Sequence, residues 1–247
     1  AMLAVLYAVG PMLFASAQRF RLANTSWRGL RFAFDGDERG AYSVFLMWPL
    51  LSVLTLYLLA PMWHQRMKRY QLDSTRFGAT RFRLDVPVSA FYRMYGVLFL
   101  LLLAGLLAMG AMMVGLIALS GGGRESLSML PILLFLGWLA VLMLVQLYLL
   151  ARLQNLVWNN TRLGPHRFES RARARTLYAI TLTNLIAIVC TFGLFMPFAA
   201  IRLARYRIES VTMISAGPLD DFVAGQSQDV AATGEEAADL FDVDIAL

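Results

Sequence analysis

Five stretches without a single Asp, Glu, Lys or Arg constrain this chain more than anything else in it: residues 2–17, 41–63, 95–120, 126–151 and 177–201. A bilayer core roughly 30 Å thick takes about 20 apolar residues as a helix. Backbone groups in lipid must be satisfied within the segment or in a closed barrel, and the period-2 alternation of a barrel is absent from these runs. Composition agrees, because 59% of the 247 residues are hydrophobic and 15% charged, against about a quarter charged in soluble domains. The opening AMLAVLYAVG lacks a basic leader region and looks like a span entered part-way, so we expect an N-terminally shortened piece of a longer protein. Cys190 is the single cysteine, which excludes an intramolecular disulfide.

Between the runs the chain repeats itself. Thr25, Thr75 and Thr161 are each followed six residues later by Arg (Arg31, Arg81, Arg167) and seven later by Phe (Phe32, Phe82, Phe168). Gly29, Gly78 and Gly164 lie between. A second pattern has Thr55 six residues before Pro61, then Arg66, Arg69 and Tyr70; Thr191, Pro197, Arg202, Arg205 and Tyr206 stand at identical offsets. Internal repetition of this kind has to be recognised before a fold is assigned. The unit reads as an apolar helix, a basic helix end, a short hairpin and the next apolar helix. Polar and apolar residues alternate on either side of each glycine, as in a β-hairpin with turn chemistry between its strands. Hairpins are therefore expected over 20–35, 70–85 and 156–170.

The run from Asn184 to Pro197, followed by Arg202, Arg205 and Tyr206, together with the phrase from Trp158 to Phe168, resembles the YjgN family of uncharacterised bacterial inner-membrane proteins. The resemblance covers most of 19–222. It implies a location and an architecture and brings no biochemical activity.

Topology turns on the two proline-containing runs. If all five runs span, 13 Lys/Arg lie on one side and nine on the other. If 41–63 and 177–201 break near Thr55–Pro61 and Thr191–Pro197 and return to the side they entered, 21 lie together and one opposite. Positively charged loops collect on the cytoplasmic side, which favours re-entry; ordinary spans kinked at proline are the alternative. Either way the basic hairpins are expected to be mostly cytoplasmic.

Residues with catalytic potential are scarce. No run holds a mid-depth acid of the kind proton-coupled transport uses. His64 and His166 have no second ligand at metal spacing, and no nucleophile elbow, P-loop or HExxH pattern occurs. No enzyme activity, metal or cofactor is expected. Arg66 with Arg69, and Arg202 with Arg205, lie at i, i+3 beside Tyr70 and Tyr206, as two basic ledges suited to an anionic headgroup or to snorkelling at a helix end. Residues 216–247 hold eight acids and no base, leaving +14 on the rest of the chain. Within this tail, 241–247 alternates as a strand would.

The expected fold class is thus an all-α integral membrane protein with short interfacial β-hairpins and helix–hairpin repeats, its membrane domain over 1–215. Two functional readings follow. One is transport or channel activity toward a small or anionic solute, from repeated Pro-interrupted segments. The other is a membrane scaffold that binds anionic lipid or a protein partner, including a second copy of itself, through its basic hairpins. Nucleic acid is not expected as a partner.

Overall fold

Each recurrent threonine marks the place where a helix hands over to a strand. In the computed structural model, which describes residues 2–119, 124–217 and 223, the hydroxyls of Thr25, Thr75 and Thr161 donate to the carbonyls of Arg21, Gln71 and Val157, each four residues back, at 2.7–2.8 Å. The last carbonyls of a helix have no partner within it, and these hydroxyls supply one. The helices so closed are α1 (Met2–Ala23), α4 (Ala60–Asp73) and α6 (Arg124–Trp158).

A two-residue hairpin follows every time: β1 (Ser26–Trp27) to β2 (Leu30–Phe34), β3 (Thr75–Phe77) to β4 (Thr80–Leu84), and β5 (Thr161–Leu163) to β6 (His166–Ser170). Tight turns that match strand twist need positive φ. Gly78 and Gly164 provide it at the first turn position, with φ of 57° and 56°. In the first hairpin the glycine comes one residue later, so Arg28 and Gly29 both take positive φ (49° and 84°) and the loop keeps its length.

The hairpins do not stay separate. Together with β7 (Val211–Ile214) they form one seven-stranded sheet in the order β1-β2-β3-β4-β5-β6-β7, antiparallel from β1 to β6. This corrects the expectation of an all-α protein with isolated hairpins. The residue after each hairpin donates its N–H to the residue just before the strand that follows in the sheet: Asp35 to Ser74, Asp85 to Asn160 and Arg171 to Ser210, at 2.8–3.0 Å. Hairpin edges left unpaired would expose a row of donors and acceptors, and this docking pairs them.

A second correction concerns the helices. Among the described residues two are long and apolar enough to cross a membrane, within α5 (Val88–Leu119) and α6; the alternative in which all five runs span is not what the described residues form. Run 41–63 is divided among α2 (Glu38–Tyr42), a π-helical turn (Ser43–Met47), α3 (Trp48–Leu54) and the start of α4. Run 177–201 is divided between α7 (Ala174–Cys190) and α8 (Met196–Glu209). Both breaks have one construction. The hydroxyls of Thr55 and Thr191 close the last turn onto Leu51 and Ala187, two residues take positive φ (Leu56 and Tyr57; Phe192 and Gly193), and Pro61 and Pro197 stand in the first turn of the next helix. The chain then runs back. Trp63 donates its indole N–H to Val44 O at 2.8 Å, and Asn184 donates to Ala199 O at 3.2 Å. Hydropathy averages across such a break because the turn residues are themselves apolar.

The described residues fall into two compact units. The first takes 1–88, 157–169 and from 213 onward. Its core is the apolar face of the sheet, where Leu30, Phe77, Phe82 and Leu163 pack with Phe32 and Phe168. Aromatic rings run across the strands in sequence: Phe32 to Phe77 (4.9 Å), Phe32 to Phe82 (6.4 Å) and Phe82 to Phe168 (6.0 Å between centroids). A second cluster joins Ala15 of α1 to Phe34 and Ala41, with Phe45 and Tyr70 around it. The second unit takes 89–156 and 170–212. There Leu147, Ala151, Ala172 and Leu177 form the core, and a Cβ on Gly105 of α5 would stand 2.5 Å from Val141 of α6, so glycine permits the close approach of these two helices. The terminal strand expected at 241–247 lies outside the described residues.

Candidate anion-binding face of the sheet

Period-2 alternation that buries phenylalanine on one face of the sheet must place its intervening residues on the other. Most of those residues are arginines, with Ala33 and Glu169 the exceptions on β2 and β6. Register pairs Arg76 with Arg81, Arg83 with Arg162, and Arg162 with Arg167. Arg31 lies on the same face, since Gly78, two residues on from Arg76, donates to its carbonyl. Like charges directly opposite one another on a sheet destabilise it, so this face requires counter-charge. Asp35 supplies part of it, contacting Arg76 at 3.1 Å and Arg81 at 3.3 Å. Arg83 and Arg162 have no ion pair among the described residues.

A cavity of about 740 Å³ opens where the end of α4 meets β4 and β5. Arg69, Arg81, Arg83 and Arg162 line it with Asp73 and Asp85. Asp73 is already occupied: its carboxylate takes the N–H of Leu84 at 2.8 Å and contacts Arg69 at 3.4 Å.

The two ledges seen in the sequence are divided in use. Their first arginines, exposed at the surface, each lie against their own helix hairpin. Arg66 lies over the Trp48 ring at 4.3 Å, while Arg202 donates to Thr183 Oγ1 at 2.9 Å and to Asn184 Oδ1 at 3.3 Å. Their second arginines are exposed and form i, i+4 pairs, Arg69 with Asp73 and Arg205 with Glu209 at 2.7 Å. The hydrogen bond to Glu209 raises the Arg205 pKa further. The tyrosines close the hairpin bases. Tyr70 donates its hydroxyl to Asp37 O at 2.8 Å, and the Tyr206 hydroxyl accepts from Arg173 N at 2.9 Å. Burial first, then the Asp37 carboxylate, pushes the Tyr70 phenol up, with Arg19 opposing, so the group stays a donor.

Of the hairpin residues singled out by recurrence, Arg31, Arg81 and Arg167 reach the charged face, and Phe32, Phe82 and Phe168 reach the apolar one. Sequence reasoning missed Arg83 and Arg162 as a facing pair. The signal was hidden because their strands are 77 positions apart and only the β4–β5 register opposes them. His166 is buried at the start of β6 with its Nδ1 accepting from Ala216 N at 3.2 Å, and no cluster of three His, Cys, Asp or Glu with metal-binding geometry occurs among the described residues.

No curated protein and no solved structure matches the chain. A family model described as a bacterial protein of unknown function, DUF898, matches residues 1–240. With nearly the whole length matched, the chain belongs to the DUF898 family of bacterial proteins, the YjgN family.

Proposed function

We propose that this is a bacterial inner-membrane protein that holds an arginine-bearing sheet against the anionic phospholipid headgroups of the cytoplasmic leaflet, as a non-enzymatic interaction module. One observation carries the reading: a continuous sheet face where Arg31, Arg81, Arg83, Arg162 and Arg167 are exposed and register sets arginine opposite arginine. Basic residues near an anionic leaflet gain about 1 kcal/mol each, which offsets the repulsion built into the sheet. The bilayer itself is suggested by α5 and α6, where Phe99 and Leu100 of the first and Phe135 and Leu136 of the second are each more than half exposed. Apolar surface on this scale is unfavourable in water.

Transport is the weaker reading. It needs polar groups disposed along a path, whereas Asn184 and Thr191 of the broken α7–α8 pair are consumed locally. Asn184 bonds Ala199 and Arg202, and Thr191 bonds Ala187 and the N–H of Phe195.

Hydrogen exchange of the full chain in nanodiscs tests the proposal. Strands β3 to β5 should exchange more slowly in phosphatidylglycerol-containing discs than in phosphatidylcholine discs, and the difference should shrink as salt is raised. Equal exchange in the two lipids overturns it.

A further inference from the structure

We infer that the cavity between the end of α4 and strands β4–β5 binds a phosphate group, held between Arg83 and Arg162. The inference rests on the anionic-surface reading above and names a discrete subsite within that face.

Three observations converge on these two residues. First, the register places them directly opposite each other, a like-charge pair whose repulsion an anion between them would reverse. Second, the other basic residues of the cavity already have acids. Arg69 has Asp73 and Arg81 has Asp35, whereas Asp85 lines the cavity and makes an ion pair with neither Arg83 nor Arg162. Third, Arg83 is no part of the recurring framework. Eight residues after the three hairpin threonines stand Ala33, Arg83 and Glu169, so the middle hairpin alone carries a guanidinium there. A residue needed to build the hairpin would recur as Gly, Arg and Phe do. One specific to a single copy points to a job specific to that place.

Phosphate fits the geometry. Two guanidinium forks facing across a strand pair offer more donors than the two oxygens of a carboxylate accept, and a tetrahedral phosphate presents oxygens to both. The cavity, about 740 Å³, is of the size that small-molecule sites occupy. The phosphate can belong to a lipid headgroup or to a soluble ester, and the two sources separate experimentally.

The full chain in neutral detergent is titrated with glycerol 3-phosphate against sodium chloride of equal ionic strength, following thermal stabilisation. In parallel, retention of phosphatidylglycerol over phosphatidylcholine is measured by native mass spectrometry. Arg83→Gln and Arg162→Gln are compared with Arg31→Gln, which removes a charge from the same face outside the cavity. The expected result is roughly tenfold weaker binding in each cavity variant and a smaller loss in Arg31→Gln. Loss of glycerol 3-phosphate binding in the cavity variants supports a phosphate site open to soluble esters, and loss of phosphatidylglycerol retention alone supports one filled by lipid. Phosphatidylglycerol retention that falls equally in all three variants overturns the subsite and leaves the anionic-surface reading standing. Glycerol 3-phosphate binding that depends on Arg83 without any lipid preference supports the subsite and overturns that reading. Failure of both ligands to stabilise the wild-type chain overturns both.

Discussion

At the scale of single residues, a buried polar group is accommodated either by a bond, as at Asn184, or by a neutral state. His64 shows the second case. Burial, and after it the charge of Lys68, holds its imidazole pKa down to about 4, from an ordinary 6.5. The folded protein therefore keeps His64 neutral, while the unfolded chain protonates it below the ordinary value. That contribution to stability is complete above about pH 6.5 and is lost as the pH falls toward about 4, up to about 3 kcal/mol. Thermal melts at about pH 7.5 and about pH 4.5 should separate wild type from His64→Gln, with the wild type losing more on acidification. Parallel losses in the two proteins would show that His64 is not the group responsible. Gly29 makes a purely conformational case, since a Cβ there meets no atom within 4 Å but φ is +84°. Gly29→Ala should cost about 1 kcal/mol by backbone strain, read as a lowered melt; an unchanged melt would mean that the first hairpin turn relaxes.

Among the elements, the two broken helices show one solution used twice. A threonine closes the first helix, two residues at positive φ turn the chain, and a proline in the first turn starts the second helix, where its missing N–H costs nothing. What holds each pair shut differs. In α3–α4 an arginine lies over a tryptophan ring, and in α7–α8 the arginine 136 positions later hydrogen-bonds the asparagine standing where the tryptophan stood. Asn184 is buried, so removing its amide deletes the hydrogen bond that ties α7 to Ala199 O of α8. Asn184→Ala is expected to destabilise the α7–α8 pair by about 1–3 kcal/mol, seen as faster hydrogen exchange over 184–202. Exchange at the wild-type rate would show that the apolar contacts of the pair suffice without the bond.

For the whole molecule, the sheet is the non-local result of three local events. Each hairpin forms from a stretch shorter than 12 residues, and the end of each then docks on the residue that leads into the next strand. That docking aligns the arginines into one face, a property no hairpin has alone. In cells, α5 and α6 should keep the chain in the membrane fraction after alkaline carbonate extraction. Release into the soluble fraction would sink the membrane assignment, since helices whose leucines face outward would then need another cover.

Much of this was legible in the chain itself. Recurrence at Thr25, Thr75 and Thr161 located the hairpins, because turn geometry and alternation are local and leave their mark on adjacent residues. The long apolar runs likewise located α5 and α6. Other features were decided only by tertiary structure. For runs 41–63 and 177–201 the chain left two readings open, a kinked span or a return, because hydropathy does not register a change of direction, and the reversal depends on positive φ at Leu56, Tyr57, Phe192 and Gly193, of which one alone is a glycine. The facing of Arg83 and Arg162 depends on β4 meeting β5, two strands whose partners are chosen by burial of the phenylalanine face and by strand-leading residues far away in sequence. Local chemistry determined which pieces form; long-range pairing, which reads no single segment, decided which charges they bring together.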